Sequence, residues 1–511
     1  MSFLFLSTVT SFPPLVLLLG YTFLVFSLGT AFGYSLHQRQ LAAATANDKN
    51  ECMSLRHEML DDSVHESARE TDSEGEEEES EALPEGLLEG PLQVLQAAIH
   101  LFASHYHQSI ATNNNKNNEK KETFVVEYRS PQELLQQFQA DTGGISMALH
   151  TNHAPMQPIH TTADMTRILQ TIQKYSVNTN HPYFFNQLFG AVDPVALAGE
   201  LVALSLHTSA YTYETAPVFT LLEREVIRAV AHRIYANNND HSQQSFQYDG
   251  LMIPGGSLSN LTALHVARYY YISNNNSNNN NNNKHVDISQ LVAFVSDEAH
   301  YSFAKSATLI GMSPQNLILI PTRTDGTMDT DALYRAMVYA RDVQNQHPFF
   351  LAATSGSTVR GSFDPIDRIS RVCEQYNSSN NSSSSSHKVW LHVDGAWGGS
   401  LLFSDRPDLK ALLRGVHMAD SFTFNPHKLL GAPQQTTCFV SRHANLLHRA
   451  NSCQAKYLFD HRKNGASRDL GDASFTCGRR TDAIKIWCMW KYYGVSGLAA
   501  QMEAKVDILT T

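Results

Sequence analysis

The sequence predicts an α/β fold, a mostly parallel sheet with crossover helices, on two observations. From about Pro182 onward, short apolar runs alternate with amphipathic stretches, the rhythm of strands feeding helices that return over a sheet. Two of those runs end in a charged residue, Asp394 in VWLHVDGAWGGS and Lys428 in SFTFNPHKLLG, 34 residues apart. Open sheets of this kind bind ligands beyond the carboxyl ends of their strands. A length of 511 residues, 42% hydrophobic and 17% charged, allows a large core and more than one domain.

Residues 1–36 carry no charged side chain, and Leu15 to Tyr34 gives 20 mostly apolar positions, enough to span a bilayer as a helix. The run reads as a membrane anchor or as a targeting presequence. It lacks the positive start of a secretory signal and the arginines of a transit peptide, which favours the anchor. Arg39, Lys49 and Arg56 follow it and no Lys or Arg precedes it, so the positive-inside rule puts the rest of the chain in the cytosol. Residues 37–90 are polar and acidic, with eight acids between Glu70 and Glu81 out of a net charge of −11, and read as a solvated linker. Residues 91–180 form a helical segment ahead of the main domain, residues 181–511.

Three low-complexity tracts, Asn113 to Asn118, Asn274 to Asn283 and Asn377 to Ser386, are expected as surface loops, since such tracts bury too little apolar surface to order themselves. Asn377, Asn380 and Asn381 begin formal glycosylation sequons that a cytosolic chain would not use. No basic stretch suits a phosphate backbone, which excludes nucleic-acid binding. The six cysteines form no CxxC pair, which points to reduced thiols and no metal site.

Strands are expected at Leu291 to Val295, Leu317 to Ile320, Phe349 to Ala353, Val389 to Val393, Ser421 to Phe424 and Thr437 to Val440, with helices over Met328 to Gln344 and Ile366 to Tyr376. Thr354, Asp394 and Lys428 fall at strand ends and are expected in one site. A lysine that forms a Schiff base with an aldehyde, beside a carboxylate that holds a pyridine nitrogen protonated, is the minimal set for pyridoxal phosphate chemistry. Pro254-Gly255-Gly256-Ser257 opens the helix pattern of Ser257 to Ile272, either as a plain turn or as an anion cradle at a helix N-terminus. His300 in SDEAHYSF reads as a ring stacked on a cofactor or as an ordinary structural histidine.

The segments HPYFFNQLFGAVDP, YTYETAPVF, DGLMIPGGSLSN, SDEAHYSF, ATSGSTVRGSFDP, LHVDGAWGGSLL, FNPHKLLG and CGRRTD..K.W.MW stand in this order from about His181 to the end of the chain. Together they resemble the group II pyridoxal-phosphate-dependent amino-acid decarboxylases, in the acidic-substrate branch of glutamate, cysteine sulfinate and aspartate decarboxylases. NQLF, ATSGST, GGSLL, HKLL and CQAKYLF lean toward the cysteine sulfinate enzymes. The resemblance implies fold type I, the aspartate aminotransferase-like architecture, and a homodimer acting on a small acidic amino acid. By position it makes Lys428 the Schiff-base lysine and Asp394 the partner of the pyridine nitrogen. It also implies that His300 and Ala396 cover the two ring faces, with Thr354 near the ring oxygen. Gly255, Gly256, Ser257, Asn425 and His427 would then cradle the phosphate. Gln187, Leu188 and Phe189 correspond to a substrate-contacting stretch, against the alternative that Gln187 only packs at a helix start.

Three departures stand out. Gly395 occupies a position where alanine is usual, and the stretch from Tyr457 to Asp472, which resembles a mobile loop reaching a neighbouring subunit, has Arg468 near the place where some relatives carry a tyrosine proton donor. The chain stops at Thr511, where relatives continue into a small domain that supplies an arginine for the substrate carboxylate. A catalytically silent, membrane-tethered relative is therefore the alternative to an active decarboxylase, and an aminotransferase or aromatic decarboxylase ranks below both.

Overall fold

The computed structural model describes residues 89–114, 125–149, 158–159, 161–185, 187–236, 247–277, 286–379, 388–460, 462 and 465–510. The apolar stretch 15–34 and the acidic segment up to residue 88 lie outside them, while Glu89 and Gly90, expected in the linker, begin the first helix. Among the described residues no helix is long and apolar enough to cross a membrane.

Helices α1 (Glu89–Asn114), α2 (Pro131–Asp141) and α3 (Thr162–Tyr175) come first. Ser130 opens α2 with a reciprocal capping box to Glu133, which satisfies two of the free N–H groups of a helix start. Then follow α4 (Pro194–Leu206), α5 (Pro217–Tyr235) and strand β1 (Asp249–Met252). The core continues with α6 (Gly256–Ser277), β2 (Leu291–Ser296), α7 (Ser302–Leu309), β3 (Leu317–Ile320), α8 (Thr330–Asp342), β4 (His347–Thr354), α9 (Ile366–Ser379) and β5 (Trp390–Gly395). It closes with α10 (Pro407–Leu412), β6 (Ser421–Phe424), β7 (Cys438–Ser441), α11 (Leu446–Asn451) and α12 (Ala483–Thr510), which bends at Gly494.

The seven strands form one sheet in the order β1-β7-β6-β5-β4-β2-β3. The pairs from β6 across to β3 are parallel, whereas β7 runs antiparallel to both β6 and β1. The expected α/β class holds, with one antiparallel strand that the apolar pattern could not orient. Strand direction is set by the connection, and the short link from β6 to β7 returns the chain without a crossover helix.

Both faces of the sheet are covered, so its central strands carry apolar side chains toward both layers. Val292, Phe294, Leu351, Leu391, Val393 and Phe422 enter one core cluster, with side chains of α5, α8 and α9. Leu291, Ala293, Val295, Ala352 and Trp390 enter the other, with α6 and α7. This is the period-two alternation of a strand between two layers.

The asparagine tracts correct the loop expectation at their beginnings. Helices α1, α6 and α9 run on into them, to Asn114, Ser277 and Ser379. Asn275 is buried and donates from Nδ2 to the Tyr271 carbonyl at 2.7 Å, a backward bond that lets an amide side chain extend a helix end. The remainder of each tract lies outside the described residues.

Candidate active site

Adjacent parallel strands in register bring the predicted residues together. Thr354 at the end of β4 stands opposite Asp394 on β5, and Asp394 opposite Thr423 on β6. Lys428 follows in the turn after β6, and His300 in the turn after β2. A cavity of about 200 Å³ is lined by Gly256, Ser257, His300, Thr354, Asp394, Ala396, Asn425, His427 and Lys428, and also by Asn260, Tyr301, Gly356 and Thr358. Gly255 and the Gln187, Leu188 and Phe189 stretch do not line it. Gln187 is exposed in this chain, and its substrate role is what the resemblance alone implies.

Asp394 is buried, and both of its oxygens accept N–H donors: Oδ2 from Asn260 Nδ2 at 2.8 Å and Oδ1 from the Ala396 backbone at 3.0 Å. Burial lowers the pKa of Lys428, with Asp394 opposing, because a desolvated ammonium is disfavoured. A lowered lysine pKa yields more of the neutral, nucleophilic amine. His300 is likewise held low, first by burial and then by Lys428 and Lys305, against the pull of Asp394. Its Nδ1 accepts from the Ser302 backbone at 3.2 Å, and its ring lies 4.3 Å from that of Tyr301.

Four observations test whether a phosphate-bearing pyridine aldehyde suits this cavity. Thr354 Oγ1 is buried without a hydrogen-bond partner in the chain, which costs free energy unless a ligand supplies one. A Cβ on Gly256 would come within 2.9 Å of Asn425 Nδ2 and 3.5 Å of Ala396 Cβ, so glycine keeps the start of α6 open toward the cavity. Gly255 just before it has φ +93, a left-handed backbone that favours glycine. His427 Nδ1 lies 2.6 Å from the Thr436 carbonyl oxygen, which fixes the ring. The donor set fits an anion at one end of the cavity and a ring nitrogen at Asp394.

Gly395 has a steric reason. A Cβ there would fall 2.3 Å from Phe422 Cζ, so Phe422 fills the space that an alanine methyl would take. Arg468 lies over the Tyr213 ring at 5.8 Å, and Asp469 Oδ1 accepts from the Tyr213 backbone at 2.7 Å. The described part of that loop is thus tied to Tyr213 of the same chain. Sequence reading missed Asn260, Tyr301, Gly356 and Thr358; the spacing of Gly256 and Asn260, four apart on one helix face, was the available signal for the first of these. Among the described residues no group of three or more His, Cys, Asp or Glu side chains could hold a metal.

Residues 146–510 match the model of the pyridoxal-dependent decarboxylase conserved domain. The chain is 39% identical over 336 residues to the cysteine sulfinic acid decarboxylase of Mus musculus, covering 65% of this chain and 62% of that protein. It is 38% identical over 341 residues to an acidic amino acid decarboxylase of Mus musculus, covering 66% of this chain and 57% of that protein. The chain thus spans about three fifths of the length of the curated relatives it matches. Its structure is similar to that of mouse CSAD, with a TM-score of 0.67, 32% identity and coverage of 83% of this chain and 78% of the other. The Oryza sativa TDC structure, at 23% identity and a TM-score of 0.65, shows the shared fold alone. The fold is type I, as expected.

Proposed function

Because the chain belongs to the pyridoxal-dependent decarboxylase family, we propose that it removes the α-carboxylate of a small acidic amino acid as carbon dioxide. Cysteine sulfinate, giving hypotaurine, is the preferred substrate, ahead of aspartate and glutamate. The convergence of Lys428, Asp394 and His300 from three strand ends on one cavity that also holds the glycine-led start of α6 carries this reading. The lean to cysteine sulfinate rests on the NQLF, ATSGST and HKLL segments and on relatives named for that substrate.

Lys428 would hold the cofactor's aldehyde carbon through Nζ and Asp394 its pyridine nitrogen. Gly256, Ser257, Asn425 and His427 would take its phosphate, and His300 and Ala396 its two faces. When bound, pyridoxal phosphate supplies an electron sink for the pair released as the Cα–carboxylate bond breaks. The buried Asp394 carboxylate would stabilise positive charge at the ring nitrogen. Burial lowers the pKa of His300, which disfavours a competing cation on the flat ring that would cover the cofactor. The lowered pKa of Lys428 suits it to capture an aldehyde and to carry a proton at Nζ.

We also propose a homodimer, supported by apolar side chains that α4 leaves exposed. The reading is tested by measuring carbon dioxide release from cysteine sulfinate, aspartate and glutamate side by side, using the chain loaded with pyridoxal phosphate. The expected result is fastest release from cysteine sulfinate, with the Lys428→Ala variant losing both release and visible cofactor absorbance. No release from any of the three by a protein with normal absorbance would overturn the reading.

A further inference from the structure

Behind Asp394 runs a buried chain of polar groups that the catalytic reading leaves unused. Asn260 Nδ2 donates to Asp394 Oδ2 at 2.8 Å and to Ser302 Oγ at 3.0 Å. Asn260 Oδ1 lies 3.2 Å from His392 Nε2 and 3.4 Å from Thr423 Oγ1. His392 Nδ1 is 2.8 Å from Ser421 Oγ, which accepts from Trp390 Nε1 at 2.8 Å. Trp390, His392, Ser421, Thr423 and Asn260 are all buried.

The two ends of this chain fix its direction. An indole N–H can only donate, and a carboxylate can only accept. With Asp394 accepting, the Asn260 amide must turn Nδ2 toward it and Oδ1 toward His392, so Nε2 must carry the imidazole proton. Nδ1 of a neutral ring then accepts the Ser421 hydroxyl proton, and Ser421 accepts from Trp390. Reversing any one link sets two donors or two acceptors face to face in a buried site, at the cost of an unsatisfied polar group.

We propose that Asn260 and His392 are positioning residues: they form a one-directional hydrogen-bond relay from Trp390 that holds the Asp394 carboxylate as an oriented acceptor for the cofactor's ring nitrogen. The inference rests on the reading of the cavity as a pyridoxal phosphate site. Burial brings the pKa of His392 down to about 4, which agrees with the neutral tautomer that the geometry requires. The titratable groups whose charge couples to Asp394 are Lys428 after β6, His300 after β2 and His392 beside it on β5.

The test compares wild type, Asn260→Ala, Asn260→Asp and Trp390→Phe, each as the full chain reconstituted with pyridoxal phosphate. Three readouts are followed: the pH titration of the visible band, the cofactor dissociation constant, and kcat and KM. Loss of the Asn260 donor is expected to shift the midpoint of the titration, to weaken cofactor binding roughly tenfold, and to lower kcat while leaving KM within about twofold. Asn260→Asp, which sets a second carboxylate against Asp394, is expected to shift the midpoint further than Asn260→Ala. Trp390→Phe removes only the remote donor and is expected to shift it in the same direction by a smaller amount, which keeps the test open if the Asn260 variants fail to fold. Variants that fold and bind with a wild-type titration would reduce the relay to packing and overturn the proposal while the cofactor site stands. A wild-type chain with no visible band would overturn both.

Discussion

His392 is a residue whose burial has a measurable thermodynamic consequence. It sits two positions before Asp394, on the same face of β5, and its pKa is lowered to about 4 from 6.5, chiefly by burial. In the unfolded chain the ring takes up a proton below pH 6.5, whereas the folded one resists until about pH 4. The stabilisation linked to His392 is therefore fully present above pH 6.5 and lost as pH falls toward 4, on the order of 3 kcal/mol over that window. Asp364 opposes it. Burial raises its pKa to about 6, although its oxygens accept from the Thr354 and Met328 backbones, so its own contribution weakens as pH rises. Total stability is thus a poor readout, and the difference between wild type and His392→Gln is the informative one. Denaturant unfolding at steps from pH 7 to pH 4 is expected to show that difference shrinking as pH falls; a pH-independent difference would remove the buried neutral ring from the account.

At the scale of elements, the glycine that opens α6 toward the cavity is expected to govern cofactor affinity through a single missing carbon. In Gly256→Ala the new methyl would sit 2.9 Å from Asn425 Nδ2, and Asn425 can withdraw only by leaving the cavity wall it helps to form. Overpacking of this kind costs about 1–3 kcal/mol, read as roughly ten- to hundredfold weaker pyridoxal phosphate binding. The melting temperature of the apo chain should move little, since the side chain that shifts faces the cavity. Equal losses in apo stability and in cofactor binding would contradict this. The same element shows what a sequence reveals and what it hides. Strands β2 to β6 were readable because each is a short run built mainly of apolar residues that ends at a Ser, Thr, Asp or turn. Strand β1 was not, because Asp249 and Gly250 are only half-buried and the run is four residues long. Lys428 and Asp394 were conspicuous as charges at the ends of apolar runs. Asn260 was not: a polar residue in a helix reads as solvent-facing until the fold sets it behind Asp394, and the direction of its amide depends on Trp390, 130 positions later.

At the scale of the molecule, α4 carries the argument for a second copy. It is apolar almost all round, PVALAGELVALSL, a composition expected of a helix covered on every side. One side is covered. A Cβ on Gly199 would meet the Ile484 carbonyl and Cys488 Sγ of α12, at 3.2 and 3.3 Å, and the Glu200 carboxylate reaches the fully buried Lys485 ammonium at 2.5 Å, which also lies 2.8 Å from Asp482, while Arg480 pairs with both carboxylates. This buried ion pair fixes which side of α4 faces inward, because breaking it would strand a charge in the core. The other side is left with Leu204 and Leu206 at 57% and 59% exposure, beside Leu201 and Val202. Contiguous apolar side chains on a helix locked in this orientation mark an interaction surface, and a symmetric dimer would bury the same patch from both copies. Leu204→Glu sets a charge on that patch without touching the inner side. Sedimentation of the variant is expected to show a shift from dimer to monomer at micromolar concentration, with an unchanged far-ultraviolet spectrum. A variant that sediments as wild type would move the interface elsewhere on the molecule and leave the exposed leucines of α4 to another partner.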